Sequence, residues 1–229
     1  MSIFRTVTLP CPACASPLVF ELVISVSADR RPDLRDAILD GSFQRLPCPS
    51  CATQVRADPE FVYMDIGRRQ YIGVWPAEKR REWKPWSEKT RAVFDDMLGK
   101  NAPAEAKQIG QKVEVRTVFG WHALVEKILA REAGIDDKVL ELAKLAVMRT
   151  SAETPLPGEL ELRLVAVDES SLLLAWLGSA EEAAAPSAMR VPRQLLADIE
   201  ADPAAWQETR DTVSDGDVVD FQREMLLPV

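Results

Sequence analysis

Hydrophobic and polar positions sort the chain into short alternating runs followed by longer helical ones. Leu18-Val19-Phe20-Glu21-Leu22-Val23-Ile24-Ser25-Val26 is apolar and rich in β-branched residues, which predicts a strand. Shorter strands are predicted at Thr6–Leu9, Phe43–Leu46 and Thr53–Ala57. Phe61–Ile66 and Arg69–Trp75 read as a hairpin turning at Gly67. A helix is predicted over Pro32–Leu39, with proline in its first turn and Gly41 as its stop. The first 76 residues or so thus read as a small antiparallel sheet with an inserted helix.

The period then lengthens. Thr90, Val93, Phe94, Met97 and Leu98 make one apolar face of a helix over Ser87–Leu98, ended by Gly99. Lys100–Gly110 is a weakly patterned polar connection, and it sets the expected boundary between domains 1–99 and 100–229. Lys112–Phe119 alternates as a strand. Trp121, Leu124, Val125, Ile128 and Leu129 fall on one helical face; Gly134 ends that helix, and Asp136 or Asp137 caps the next, which runs to about Met148. The pair forms a helical hairpin. Glu159–Val167 and Ser171–Leu177 predict a second β-hairpin, and Ala180–Pro186 a linker of small residues. Pro192–Ile199 and Ala204–Val213 read as helices, and Val218–Leu226 as a last helix or docking strand. The expected fold class is α+β, with an antiparallel β N-terminal domain carrying an inserted helix and an α+β C-terminal domain with a helical hairpin and a β-hairpin.

Composition changes this picture little. The chain has 229 residues, 47% hydrophobic and 28% charged, as in ordinary globular proteins. No apolar stretch reaches the ~18–20 residues of a membrane span. Met1-Ser2-Ile3-Phe4-Arg5 lacks the apolar run of a signal peptide, so a cytoplasmic location is expected, with no membrane partner. The net charge of −8 is uneven: residues 1–120 carry +3 and residues 121–229 carry −11. That balance disfavours nonspecific nucleic-acid binding by the whole surface and leaves room for a local basic patch.

The strongest chemical signal is a phrase written twice. Leu9-Pro10-Cys11-Pro12-Ala13-Cys14-Ala15-Ser16 is echoed by Leu46-Pro47-Cys48-Pro49-Ser50-Cys51-Ala52-Thr53, and these hold all four cysteines. A Cys-x-x-Cys turn aims two sulfurs at one point, and two such turns supply the four thiolates of a closed tetrahedral zinc site. Proline after the first cysteine stiffens each turn. Alanine follows the second cysteine, where glycine would allow a positive φ. The turns are separated by the 33 residues Ala15–Pro47, more than the 15–20 of the common four-cysteine template, and the predicted strand and helix fill the excess. Two rivals stand beside zinc. A disulfide or redox dithiol lacks the support of a secretory signal. A rubredoxin-like iron site uses the same tetrathiolate set.

The doubled Cys-Pro-x-Cys phrase with its long spacer resembles the bacterial CpXC-domain proteins. Pro32–Leu39 followed by Asp40-Gly41 fits that resemblance, as do Val118-Phe119-Gly120, Glu126-Lys127-Ile128-Leu129 and Gly134 through Leu142. The resemblance covers roughly residues 4–150. It implies Cys11, Cys14, Cys48 and Cys51 as ligands of one structural Zn2+ and carries no activity with it.

Other candidates are weaker. Residues 68–91 interleave cations with aromatics, and Arg80, Arg81, Lys84, Trp83 and Trp86 are the set expected to touch nucleic acid if the chain binds it. The bland alternative is a charged surface over packed tryptophans. His122, the only histidine, has no identifiable catalytic partner. Asp211, Asp215, Asp217 and Asp220 read as a solvated turn and helix cap near Gly216. No nucleophile elbow, P-loop, dinucleotide fingerprint or His-Glu-x-x-His motif is present. The expected role is therefore a zinc-stabilised scaffold or protein-interaction module with a zinc-ribbon-like N-terminal domain and a protein partner; a nucleic-acid-binding zinc-ribbon protein using the basic and aromatic residues 68–91 is the alternative.

Overall fold

The fold, known from a computed structural model, is described for residues 3–150, 160–178 and 188–223. It is α+β, with a strand-rich N-terminal region. The chain forms two compact units that exchange segments in sequence. The first comprises Met1–Pro76 and Thr90–Val115, and the second Ala77–Lys89 and Arg116–Val229.

In the first unit, β1 (Ile3–Pro10) and β2 (Pro17–Ser27) pair antiparallel over their whole length, with a bulge between Ile3 and Phe4. Helix α1 (Pro32–Leu39) follows, stopped where Gly41 takes φ +79°. A separate two-stranded ribbon comes next, β3 (Arg45–Pro47) with β4 (Gln54–Arg56). The hairpin β5 (Phe61–Asp65) and β6 (Gln70–Trp75) completes the main sheet. The sheet is mixed rather than purely antiparallel, because β2 pairs with β5 in parallel through Ser25–Val62, Val26–Tyr63 and Ser27–Met64. The segment between them, with α1 and the small ribbon, is the crossover that parallel neighbours require. The five-stranded order is β1-β2-β5-β6-β7, where β7 spans Glu114–Phe119. Strand β6 is buried on both faces. Gly73 lies against Thr90, where any side chain would collide with the threonine, and Trp75 Nε1 donates to Thr90 Oγ1 at 3.0 Å.

Helix α2 (Trp83–Met97) begins four residues before the expected Ser87, after a 3-10 turn at Ala77–Glu82. The expected polar connection contains a helix, α3 (Ala104–Gly110). Its apolar positions are too few to show a period. It is placed instead by Gly110, whose absent side chain lets the backbone approach Leu98 O, where a Cβ would clash.

In the second unit, α4 (Trp121–Glu132) and α5 (Asp137–Thr150) form the expected helical hairpin. Gly134 closes α4 at φ +68°. Asp136 Oδ1 accepts from the N–H groups of Lys138 and Val139 at 2.8 and 3.3 Å, capping α5. Strands β8 (Leu160–Val167), β9 (Ser171–Gly178) and β10 (Ala188–Pro192) make an antiparallel sheet in the order β10-β9-β8. Helices α6 (Gln194–Ala201) and α7 (Gln207–Val213) pack on α5. Ala143, Leu140, Leu142, Leu162, Leu164, Leu172, Leu174, Ile199 and Val213 form a dry core. The predicted Ala180–Pro186 linker lies outside the described residues. Of the expected final element Val218–Leu226, Val218–Val219 forms a two-residue ribbon with Ser214–Asp215 and Phe221–Arg223 a 3-10 turn, and residues 224–226 lie outside the described residues. Among the described residues no helix is long and apolar enough to cross a membrane.

Candidate metal centre

Each cysteine pair occupies the tip of a β-hairpin. The β1–β2 ladder ends at the Pro10–Pro17 pair, and the β3–β4 ladder at the Pro47–Gln54 pair. The tips repeat each other bond for bond. Cys11 N–H donates to Ser16 O and Ala15 N–H to Cys11 O, both at 2.8 Å. Cys48 N–H donates to Thr53 O and Ala52 N–H to Cys48 O, again at 2.8 Å. Ala15 and Ala52 both take the left-handed backbone, with φ of 58° and 59°. That conformation costs an L-residue roughly 1–2 kcal/mol, which explains why glycine is the natural occupant of such turns. Here the hairpins impose the conformation on alanine.

The two tips meet. Cys11 Sγ lies 3.7 Å from Cys51 Sγ, and Cys14 Sγ lies 3.6 Å from Cys48 Sγ. All four sulfurs lie within 4.8 Å of one another. A tetrahedral ion with sulfur bonds of about 2.3 Å would set its ligands about 3.8 Å apart, so the donor set fits such an ion. All four cysteines are free thiols, and the sulfur separations are well beyond the ~2.05 Å of a disulfide.

The centre has a dry side and a wet side. Cys11 and Cys48 are buried, while Cys14 and Cys51 are exposed. Leu18, Phe20, Val55 and Ala57 form the apolar floor, flanked by Val7, Leu9 and Leu22. Burial pushes the Cys11 thiol up to about 11. Hydrogen bonds from the Ser16 hydroxyl and backbone N–H bring the Cys14 thiol down to about 6. The Thr53 hydroxyl and backbone lower Cys51 in the same way, with Sγ 3.3 Å from Thr53 Oγ1. Ser16 and Thr53 therefore belong to the centre, favouring the thiolate form of the outer sulfurs. Sequence reasoning passed over them, although the repeated phrase places a hydroxyl residue two positions after each second cysteine.

The residues expected at a nucleic-acid surface are divided. Arg80 is buried with Nη1 2.7 Å from a Glu161 carboxylate oxygen, and Trp83 is also buried. Arg81 and Lys84 are exposed, with Lys84 Nζ 5.5 Å from the Trp83 ring. Trp86 is half-buried, with the ammonium groups of Lys79 and Lys89 at 5.2 and 5.1 Å from its ring centre. His122 is half-buried on α4.

A second cluster, in the second unit, went unread in the sequence. Lys144 Nζ sits 3.0 Å from Glu126 Oε1 and 2.7 Å from Glu141 Oε1. Arg163 reaches Glu126 at 3.0 Å and both Glu161 and Asp220 at 2.8 Å. Lys127 and Arg116 hold Asp137 at 2.9 and 2.7 Å. Glu126, Glu141 and Lys144 have no exposed surface at all. Burial opposes ionisation of Asp137 and Asp220, but Lys127 and Arg163 outweigh it and hold both carboxyls well below their usual range. Burial, aided by the neighbouring Glu126 and Asp220 carboxylates, raises Glu141 to about 7. The network also grips an irregular segment: Lys127 Nζ donates to Val219 O at 2.7 Å, and Glu141 Oε2 accepts from Phe221 N–H at 3.0 Å. Asp217 and Asp220, expected in a solvated turn, are thus buried; Arg163 of β8, with Lys144 of α5 near it, was the missing partner for Asp220. The cavity beside the network measures about 10 Å³, room for a single water.

No curated protein and no solved structure matches the chain. The family model described as CpXC protein matches residues 9–144, from the residues before the first cysteine to Lys144 in α5. The match spans more than half of the chain and contains both cysteine tips and most of the helical hairpin. The chain belongs to the CpXC protein family.

Proposed function

We propose that this protein is a zinc-stabilised protein-interaction module of the cytoplasm, with one structural Zn2+ held by Cys11, Cys14, Cys48 and Cys51. The observation that carries this reading is the spacing across the tips, 3.6 and 3.7 Å, close to the edge of a tetrathiolate tetrahedron. Four protein ligands leave a tetrahedral ion no open position, so the ion supplies rigidity rather than a reaction. Four cysteines from two Cys-x-x-Cys turns are the usual structural zinc set, which favours zinc, and iron, which accepts the same ligands, is the rival that metal analysis separates. Four free thiols suit a reducing compartment. An interaction role is supported by the acidic surplus of residues 121–229, which complements a basic partner surface.

Elemental analysis and native mass of the purified chain test the reading. One zinc per chain is expected, lost in Cys48→Ser together with stability of the hairpin tips. Iron in its place, or an unmetallated chain of unchanged stability, would contradict it.

A further inference from the structure

The small cavity beside the buried charge network is lined by four cations, Arg80, Lys127, Arg163 and Arg223, and by a single carboxylate, Asp220. Thr117 completes the polar lining, and all six side chains are more than nine-tenths buried. Two donors on these residues are unused: Arg80 Nε and the Thr117 hydroxyl have no hydrogen-bond partner among the described residues. Buried donors are normally satisfied, so an unused pair on one cavity points to an occupant. The acceptors there are already engaged. Asp220 Oδ2 accepts from Arg163 and Oδ1 from the Gln222 N–H, while Val219 O accepts from Lys127 Nζ. A lone water would still need acceptors for its own two hydrogens. An anion only accepts.

Charge leads to the same occupant. With Lys144 the buried cations of the second unit number five among the described residues, and its buried carboxyls are also five. The half-buried Arg116 and Asp137 offset each other. One of the five carboxyls, Glu141, keeps its proton up to about 7. The interior is therefore one negative charge short, and a buried charge without compensation is strongly disfavoured.

We propose that this cavity binds one monatomic anion, chloride under ordinary conditions, between Arg80 Nε, the Thr117 hydroxyl and the charges of Lys127 and Arg163. Its volume of about 10 Å³ excludes phosphate, sulfate and carboxylates. Chloride is slightly wider than water, and small shifts of the Arg80 and Lys127 side chains supply that room. The site is independent of the metal centre and of the partner reading.

Thermal melting of the full chain at about pH 6 tests this, with chloride exchanged for gluconate at a constant ionic strength of about 150 mM so that screening is equal. Gluconate is too bulky for the cavity. Chloride should raise the melting temperature by about 3 °C, as a ligand at roughly ten times its dissociation constant does. Thr117→Val keeps the side-chain shape and removes a hydroxyl that has no protein partner, so it should fold and lose most of the shift. Zinc content should not change. Crystals grown in bromide should give an anomalous peak within hydrogen-bond reach of Arg80 Nε; this arm uses the unaltered chain and decides alone if the variant does not fold. Equal melting in chloride and gluconate overturns the proposal and leaves a water in the cavity. A shift undiminished in Thr117→Val, or a cavity without bromide, overturns it by placing the ion elsewhere.

Discussion

The hairpin tips of the first unit and the second unit as a whole are held by different means. At the hairpin tips of the first, the apolar floor is small, six buried residues including two of the cysteines. Four thiols converge there, above apolar side chains that both hairpins contribute. The second unit has sixteen residues in its apolar cluster and adds an interior lattice of charge. A short ribbon such as β3–β4, three residues per strand, is marginal in water without such a clamp. A large core needs no metal. The comparison teaches that a metal should be decisive only where burial is scarce.

The sharpest way to break the comparison is to empty the proposed metal site. Chelation, or Cys48→Ser, should unfold the two tips while leaving the second unit folded, because tetrathiolate zinc contributes on the order of 10 kcal/mol in isolated zinc peptides. Hydrogen exchange resolved along the sequence checks this. Protection should vanish at residues 9–18 and 46–55 and persist in α4, α5 and β8. Loss of protection in both units would erase the distinction.

The next effect lies in the second unit. Lys144→Met leaves Glu126 and Glu141 buried without their shared cation, and should cost about 3–5 kcal/mol in urea unfolding. Zinc content should not change. A loss below 1 kcal/mol would show that the lattice is not needed.

A smaller effect comes from pH. Glu141 keeps its proton in the folded chain up to about 7, whereas the unfolded chain releases it near 4.5. Stability of the second unit should therefore fall as pH rises between those values, by roughly 1–3 kcal/mol. Asp137 and Asp220 are held ionised below their ordinary range, so stability also falls as pH drops below about 4. Urea midpoints at pH 5 and 8 check the upper limb. Glu141→Gln should flatten it, and a wild type equally stable at both would count against the lattice as described.

The smallest effect returns to the tips. Ala15→Gly and Ala52→Gly relieve the left-handed backbone at the cost of a more flexible unfolded chain, for a net gain of about 0.5–1 kcal/mol each. Thermal melting of the zinc-loaded protein reads the gain. Destabilisation would mean that the alanine methyl groups pack usefully.

What was legible in the sequence followed the range of the forces involved. The cysteine tips are local phrases, each closed within eight residues, so their chemistry could be read directly. The helical hairpin was legible for the same reason, through Gly134 and the Asp136 cap. The parallel pairing of β2 with β5 leaves no local mark, since it depends on what the intervening segment does. Nor does the exchange of segments between the units. The buried lattice was hidden by its own alternation. Glu161 and Arg163 in β8 follow the pattern of a solvent face, and only the facing Glu126, Arg80 and Asp220 make that face an interior one. Charged residues in a strand otherwise made of leucine, valine and alanine were the available clue.

X-ray absorption at the zinc edge of the purified chain probes the central claim most directly. The account predicts one zinc per chain with four sulfur neighbours at about 2.3 Å and no lighter ligand. A mixed sulfur and oxygen shell, or a folded chain that carries no metal and four titratable thiols, would contradict it.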